Sequence, residues 1–366
     1  MNKKKILFIT PLPPPVHGSA MVSQYIKDSK LIKDSFDCDF VNLSTSRKMD
    51  EIGKRNIMKI FRFIGSYFSA FFKLLFNRYD LCYLAITCYG IGFLKDAPFV
   101  LLCKLFGRKV VIHQHNKGMN QCVEKQPYKW LYPIVYKNTK VILLSWNLYE
   151  DISKVVKREQ VLICPNGIPK ITESNNIKER DNLEPRLLFL SNLIESKGVY
   201  LLLDACKILK EKGYKFVCDY VGGETKEINR FVFDESVKSR KLDGYVVYHG
   251  PKYASEKNDC FINADIFVFP TYHETFGLVN LEAMQFRLPI VTTNEGGIPD
   301  VVLDGINGFV CKRRDVDSIV KALERLLVDE DLRVKMGIEG YNLYKSKFTL
   351  NAFEKNMNDI FNKILN

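Results

Sequence analysis

Short β-rich runs alternate with helix-length segments along almost the whole chain, and they do so in two series. The first has runs at 5–10, 38–43, 81–86, 109–113 and 141–145, with a helical pattern over 19–30. Between 166 and 185, Asn, Glu, Lys and Pro accumulate without apolar periodicity, which predicts a linker. The second series predicts strands at 186–190, 215–221, 246–249, 266–270 and 289–292, separated by helices at 199–212, 227–239, 255–263 and 278–286. Strands separated by helices pair in parallel, because the return to the same edge needs a crossover of helical length. The expected architecture is therefore α/β: two doubly wound, Rossmann-like domains at 1–166 and 186–348, joined by a linker at 167–185. Ligands of open α/β sheets gather at the carboxyl ends of the strands, so the expected site is a cleft between the two sheets.

Composition narrows the classes. Hydrophobic residues make up 46% and charged residues 26% of 366, which is too apolar for disorder and enough for two ordinary cores. The 54 Lys and Arg against 42 Asp and Glu give a net charge of +12, an excess that attracts phosphate-bearing ligands or anionic membranes. No nucleic-acid partner is expected. The ten cysteines form no CxxC pair and several sit in apolar runs, so they read as reduced, structural thiols. The N-terminus has lysines, a short β-rich run and then prolines, without the apolar length of a signal peptide, so a cytoplasmic location is expected.

Residues 57–76 depart from the alternation. They are almost wholly apolar and aromatic, yet Lys59, Arg62, Ser66, Ser69 and Lys73 recur every three or four residues as one polar stripe. Three cations argue against a membrane-spanning helix. Two readings remain: a buried helix with one wet face, or a basic amphipathic helix on an anionic membrane surface, favoured by the flanking Lys54, Arg55 and Arg78. The second makes 54–78 a peripheral contact with the inner face of the cytoplasmic membrane.

The most informative stretch is 269–282, Phe-Pro-Thr-Tyr-His-Glu-Thr-Phe-Gly-Leu-Val-Asn-Leu-Glu, running from a strand through a loop into a helix. A helix start after a strand presents free backbone N–H groups, a ready phosphate site, and Gly277 permits close approach to the amides near Leu278 and Val279. His273 lies in the same loop. Glu274 precedes the helix and Glu282 lies more than a turn inside it; a carboxylate accepts two hydrogen bonds from a vicinal diol, so one acid suits a ribose and the other a sugar.

Glu274 and Glu282 with seven residues between them, followed by Gly296-Gly-Ile-Pro-Asp300 and Asp304-Gly-Ile-Asn-Gly308, resemble the retaining GT-B glycosyltransferases of family 4. The resemblance implies transfer of a sugar from a nucleotide-diphosphate donor, most often a uridine one, to a glycan or polyprenyl-linked acceptor of surface polysaccharide. No cofactor is implied. Glu282 matches the ribose-binding acid, Glu274 the acid contacting donor-sugar hydroxyls, and the Phe276, Gly277 and Leu278 amides those facing the diphosphate. Lys197 matches the phosphate-binding lysine, whose charge offsets the leaving group. Asn192 stands where relatives often carry Arg, which shifts that task towards Lys197.

In the first domain, Gly18 fits the loop that relatives place near the phosphates, although 13–19 is rich in proline, and His115 resembles the histidine facing donor sugar and acceptor. His113 reads as structural. Gly223 and His249, in turns after strands, resemble positions lining the donor pocket. A final helix near 352–364 is expected to cross back to the first domain, as in relatives.

Asp37-Cys-Asp39 mimics a metal-binding DxD, but it introduces a short strand away from the other motifs and reads as two solvated turn acids, so no catalytic metal is expected. A nicotinamide dehydrogenase would need G-x-G-x-x-G between a strand and its helix, absent from both domains. The alternatives that stay open are a nucleotide-sugar epimerase of the same fold and a non-catalytic membrane-surface scaffold.

Overall fold

A computed structural model describes residues 3–16, 18–46, 57–172 and 184–366. The chain divides into two compact units: Met1–Gly167 with Leu350–Asn366, and Ile168–Thr349.

The first unit is a six-stranded parallel sheet of β1 (Lys4–Thr10), β2 (Phe36–Asn42), β3 (Leu81–Leu84), β4 (Lys109–Gln114), β5 (Lys140–Leu143) and β6 (Val161–Ile163), in the order β2-β1-β3-β4-β5-β6. Strand β6 was not foreseen. Ile6, Leu7, Phe8 and Ile9 of β1 are all fully buried, as expected for a parallel strand covered on both faces. The ring of Phe8 lies 4.8 Å from that of Phe40, 5.3 Å from Tyr83 and 5.7 Å from Phe361. Phe361 belongs to the closing helix Leu350–Leu365, whose Phe353, Met357, Ile360 and Phe361 form one apolar stripe at helical spacing and complete this core. The chain therefore returns to its first unit after finishing the second.

The second unit repeats the plan with β7 (Arg186–Leu190), β8 (Val217–Val221), β9 (Val246–Tyr248), β10 (Ile266–Phe269), β11 (Ile290–Thr293) and β12 (Gly308–Cys311), all parallel, in the order β12-β11-β10-β7-β8-β9. Strand β12 was hidden inside a glycine motif. The start of the expected linker is anchored to this unit: the Ile168 amide donates to Phe348 O at 3.0 Å and the Ile171 amide to Gln285 Oε1 at 2.7 Å. Residues 173–183 of that segment lie outside the described residues.

Two local expectations are corrected. Asp37 and Asp39 lie within β2 rather than in a turn, and both pair with Lys5, at 3.5 and 3.4 Å; Asp39 also accepts from Tyr79 Oη at 2.7 Å. The helix Ile57–Phe76 turns Arg62, Ser66 and Lys73 of its polar stripe towards the protein while Ser69 stays exposed, so it is no buried helix with a wholly wet polar face. Lys73 Nζ donates to Asp39 Oδ1 at 3.0 Å, Ser66 Oγ to Asn42 O at 2.8 Å and an Arg62 guanidinium N–H to Thr45 O at 2.8 Å. The cause is the edge strand β2, whose acid and outer carbonyls need donors. Ile57, Met58, Ile60, Phe61, Ile64, Phe68, Phe72, Leu75 and Phe76 are left exposed, Phe76 at 76%. Lys54 and Arg55 lie outside the described residues. Among the described residues no helix is long and apolar enough to cross a membrane.

Candidate active site

In the second unit the strand order reverses between β7 and β10, so the loops leaving these neighbours open a crevice at their carboxyl ends. Gly198 brings the two loops into contact: its φ is +92°, and a Cβ there would overlap the carbonyl oxygen of Pro270. Beside it the Tyr272 amide donates to Ser196 O at 2.9 Å.

This contact sets Lys197 against Glu274. Lys197 Nζ is 2.8 Å from Glu274 Oε2 and donates to His273 O at 3.2 Å. Glu274 Oε1 accepts from the Thr275 amide at 2.8 Å and the Phe276 amide at 3.4 Å. Burial works against the Glu274 carboxylate, but the Lys197 ammonium and the two amides outweigh it and hold the carboxyl below its usual range. The lowered value means that this arrangement adds stability at neutral pH and loses it as pH falls through that value.

A second acid, Glu295, holds the loop from behind. It is fully buried; its Oε1 accepts from the Glu274 amide at 3.3 Å and its Oε2 from Arg313 at 2.9 Å. Gly296 follows with φ +55°, and a Cβ there would overlap Glu274 O and stand 2.7 Å from Thr275 O. The Gly297 amide donates to Thr275 O at 2.8 Å. Glu295, Gly296 and Gly297 thus form a mould for the Glu274 loop. Neither Glu295 nor Arg313 was singled out from sequence, and no spacing rule pairs them.

The helix Leu278–Gln285 opens at Gly277, whose φ is +76°. The Leu278 and Val279 amides, in its first turn, have no carbonyl of a preceding turn to serve, and they carry the positive end of the helix dipole. The Phe276 amide, assigned from sequence to the diphosphate, is covered here by Glu274. Glu282 pairs with Lys257 at 2.8 Å, a partner that sequence did not reveal, supplied by the helix Ala254–Ile262. The structure also joins Asn192 to Gly223: Asn192 Oδ1 accepts from the Gly223 amide at 3.1 Å.

Residues 170–343 match the family model described as glycosyl transferases group 1. This stretch is a group 1 glycosyl transferase domain. A capsular polysaccharide biosynthesis glycosyltransferase of Staphylococcus aureus is 29% identical over 242 residues, which span 62% of this chain and 62% of that relative. Among solved structures, a glycosyltransferase from Rickettsia africae has a TM-score of 0.76 at 17% identity, over 100% of this chain and 99% of that one. An Anabaena protein solved with UDP and glucose has a TM-score of 0.72 at 15% identity, over 98% of this chain and 100% of that one. The group 1 domain forms the second half of a GT-B fold, with a Rossmann-like sheet in each unit.

Outside the group 1 loops the predicted residues separate by role. His249 Nε2 lies 2.7 Å from Asp219 Oδ1, and Asp219 is held by Arg186 through contacts of 2.7 to 3.0 Å, so its imidazole is turned towards the sheet. In the first unit His113 is fully buried and bonded through Nδ1 to Tyr83 Oη at 2.8 Å; burial keeps it neutral by driving its pKa well down. His115, with its ring centroid 4.0 Å from that of His113, lines a cavity at the strand ends instead. Gly18 begins the helix Gly18–Asp28 that follows the proline loop, and His17 beside it lies outside the described residues.

Proposed function

We propose that the chain is a retaining glycosyltransferase of family 4 that moves a sugar from a UDP-sugar to a glycan or lipid-linked acceptor of a surface polysaccharide. The observation that carries the reading is the Lys197–Glu274 pair beside a glycine-started helix. In the reaction the bond from C1 of the sugar to the diphosphate breaks and a bond from C1 to the acceptor oxygen forms on the same face. The acceptor proton passes to the departing phosphate oxygen, so no protein nucleophile is required. Lys197 and the amides of Leu278 and Val279 meet the charge growing on the diphosphate, which leaves no step assigned to a metal. Glu274 orients the donor sugar and Glu282 the ribose, while Asn192, Gly223, His273 and Gly277 are assigned to the rim of the donor pocket, which the His249 imidazole, bonded to Asp219, does not face. UDP is favoured because the Anabaena neighbour was solved with it, and a polysaccharide acceptor because the S. aureus relative is named for capsule synthesis.

Incubation with UDP-sugars and glycan acceptors tests the reading. Acceptor-dependent release of UDP, with the product linkage in the donor's anomeric configuration by NMR, is the expected outcome. An inverted linkage, or an epimerised sugar still attached to UDP, contradicts it.

The reading includes a peripheral site on the inner membrane face. The nine exposed apolar side chains of the helix Ile57–Phe76 suit the acyl boundary, and the net charge of +12 suits anionic headgroups. Each Phe transferred to lipid contributes about 1.5–3 kcal/mol. Phe68→Asp with Phe72→Asp should therefore lower co-sedimentation with phosphatidylglycerol vesicles by at least about tenfold. Undiminished binding of that double variant removes the helix from the account.

A further inference from the structure

In the second unit the helices Ala254–Ile262 and Leu278–Gln285 are joined at two levels, one turn apart. At the first, Lys257 Nζ donates to Glu282 Oε1 at 2.8 Å. At the second, four residues further along each segment, the rings of Phe261 and Phe286 stack at 5.2 Å with 6° between their planes. Both rings are fully buried, so the stack fixes the spacing of the two segments. Residues four apart share a helix face, which brings Lys257 and Glu282 together beside the stack. Their side chains are 27% and 23% exposed, so a ligand can reach them. Among the described residues Glu282 Oε2 makes no hydrogen bond, and the Lys257 ammonium pairs with no other acid.

We propose that Lys257 is a positioning residue for the donor nucleotide: it holds Glu282 by Oε1 so that Oε2 is presented to the two hydroxyls of the ribose. The inference rests on the transferase reading, in which Glu282 orients the ribose, and adds the residue that fixes this acid before the donor arrives. A glutamate side chain has three torsions, and an unheld one loses their freedom when it binds. The bond to Lys257 removes that freedom in advance, which strengthens binding by pre-organisation. A carboxylate offers about four acceptor positions and Lys257 occupies one, so a vicinal diol still finds two. The ammonium donates and cannot accept, so the hydroxyl protons of the ribose go to Glu282.

A purely structural Lys257 would tie the two helices together, a task the buried ring stack already performs. Lys257→Met keeps the length and apolar stem of the side chain and removes its charge, so the free protein should melt almost unchanged. Titration calorimetry of the full chain uses UDP, GDP and ADP, each beside its 2′,3′-dideoxy form. For the nucleotide that the wild type binds, Lys257→Met should weaken affinity about tenfold, the loss expected when a charge-assisted hydrogen bond is removed. The dideoxy form, which offers Glu282 no diol, should bind both proteins almost equally. In a Glu282→Gln background Lys257→Met should cost nothing further, because the two side chains act as one unit. Equal weakening towards the ribose and dideoxy forms, no weakening at all, or a full further loss in Glu282→Gln overturns the proposal. Failure of the transferase reading looks different: the wild type itself then binds none of the three nucleotides.

Discussion

Replacing Lys197 with alanine should lower kcat by about 10²–10³-fold, the loss typical when one pre-positioned charge-stabilising group is removed from a reaction. Lys197 is the only cation paired directly with Glu274 among the described residues, and the nearby Asn192 is neutral. The same substitution leaves Glu274 with only the Thr275 and Phe276 amides. Both side chains of the pair are 22% exposed, so solvent screens part of the lost attraction, and the cost to stability should stay at about 1–2 kcal/mol. Nucleotide-release rates and a melting curve on the same preparation separate the two effects. A small fall in rate alongside a large fall in melting temperature would make Lys197 a structural residue.

Gly296→Ala should damage the site without touching an ionisable group. At φ +55° alanine is strained, and its methyl would overlap Glu274 O, part of a backbone held in place by the Glu295 carboxylate and the Gly297 amide. Neither backbone can yield without moving Glu274. The expected cost is about 1–3 kcal/mol of stability, together with a loss of activity near 10²-fold, since a displacement of about 1 Å costs that much. Gly305 is a control for positive φ alone: its φ is +74° but a Cβ there meets nothing within 4 Å. If Gly305→Ala and Gly296→Ala lost activity equally, the mould around Glu274 would not be the cause.

Strand and helix alternation made the two sheets legible, because each long parallel strand is a continuous apolar run such as Ile6 to Ile9. Strands β6 and β12 escaped, although others as short, such as β9 and β10, were found. The Glu274–Glu282 spacing located the loop and helix correctly, and Lys197 was found through its own motif. The partners of these residues were not legible. Glu295, Arg313 and Lys257 reach the site by tertiary packing across 18 to 25 residues of chain, and no local pattern encodes that. The polar stripe of 57–76 was visible, but its direction was not, since an amphipathic pattern says which residues share a face and leaves open which face meets the protein.

The most direct test of the central claim is the melting temperature of the wild type and of Lys197→Ala across a set of UDP-, GDP- and ADP-sugars at saturating concentration. Ligand at 100 times its Kd adds about 2.7 kcal/mol of stability. At least one nucleotide-sugar should raise the wild-type melting temperature by several degrees, with the shift largely abolished in Lys197→Ala. Stabilisation by none of them, or an equal shift in both proteins, would contradict a donor site built on Lys197 and Glu274.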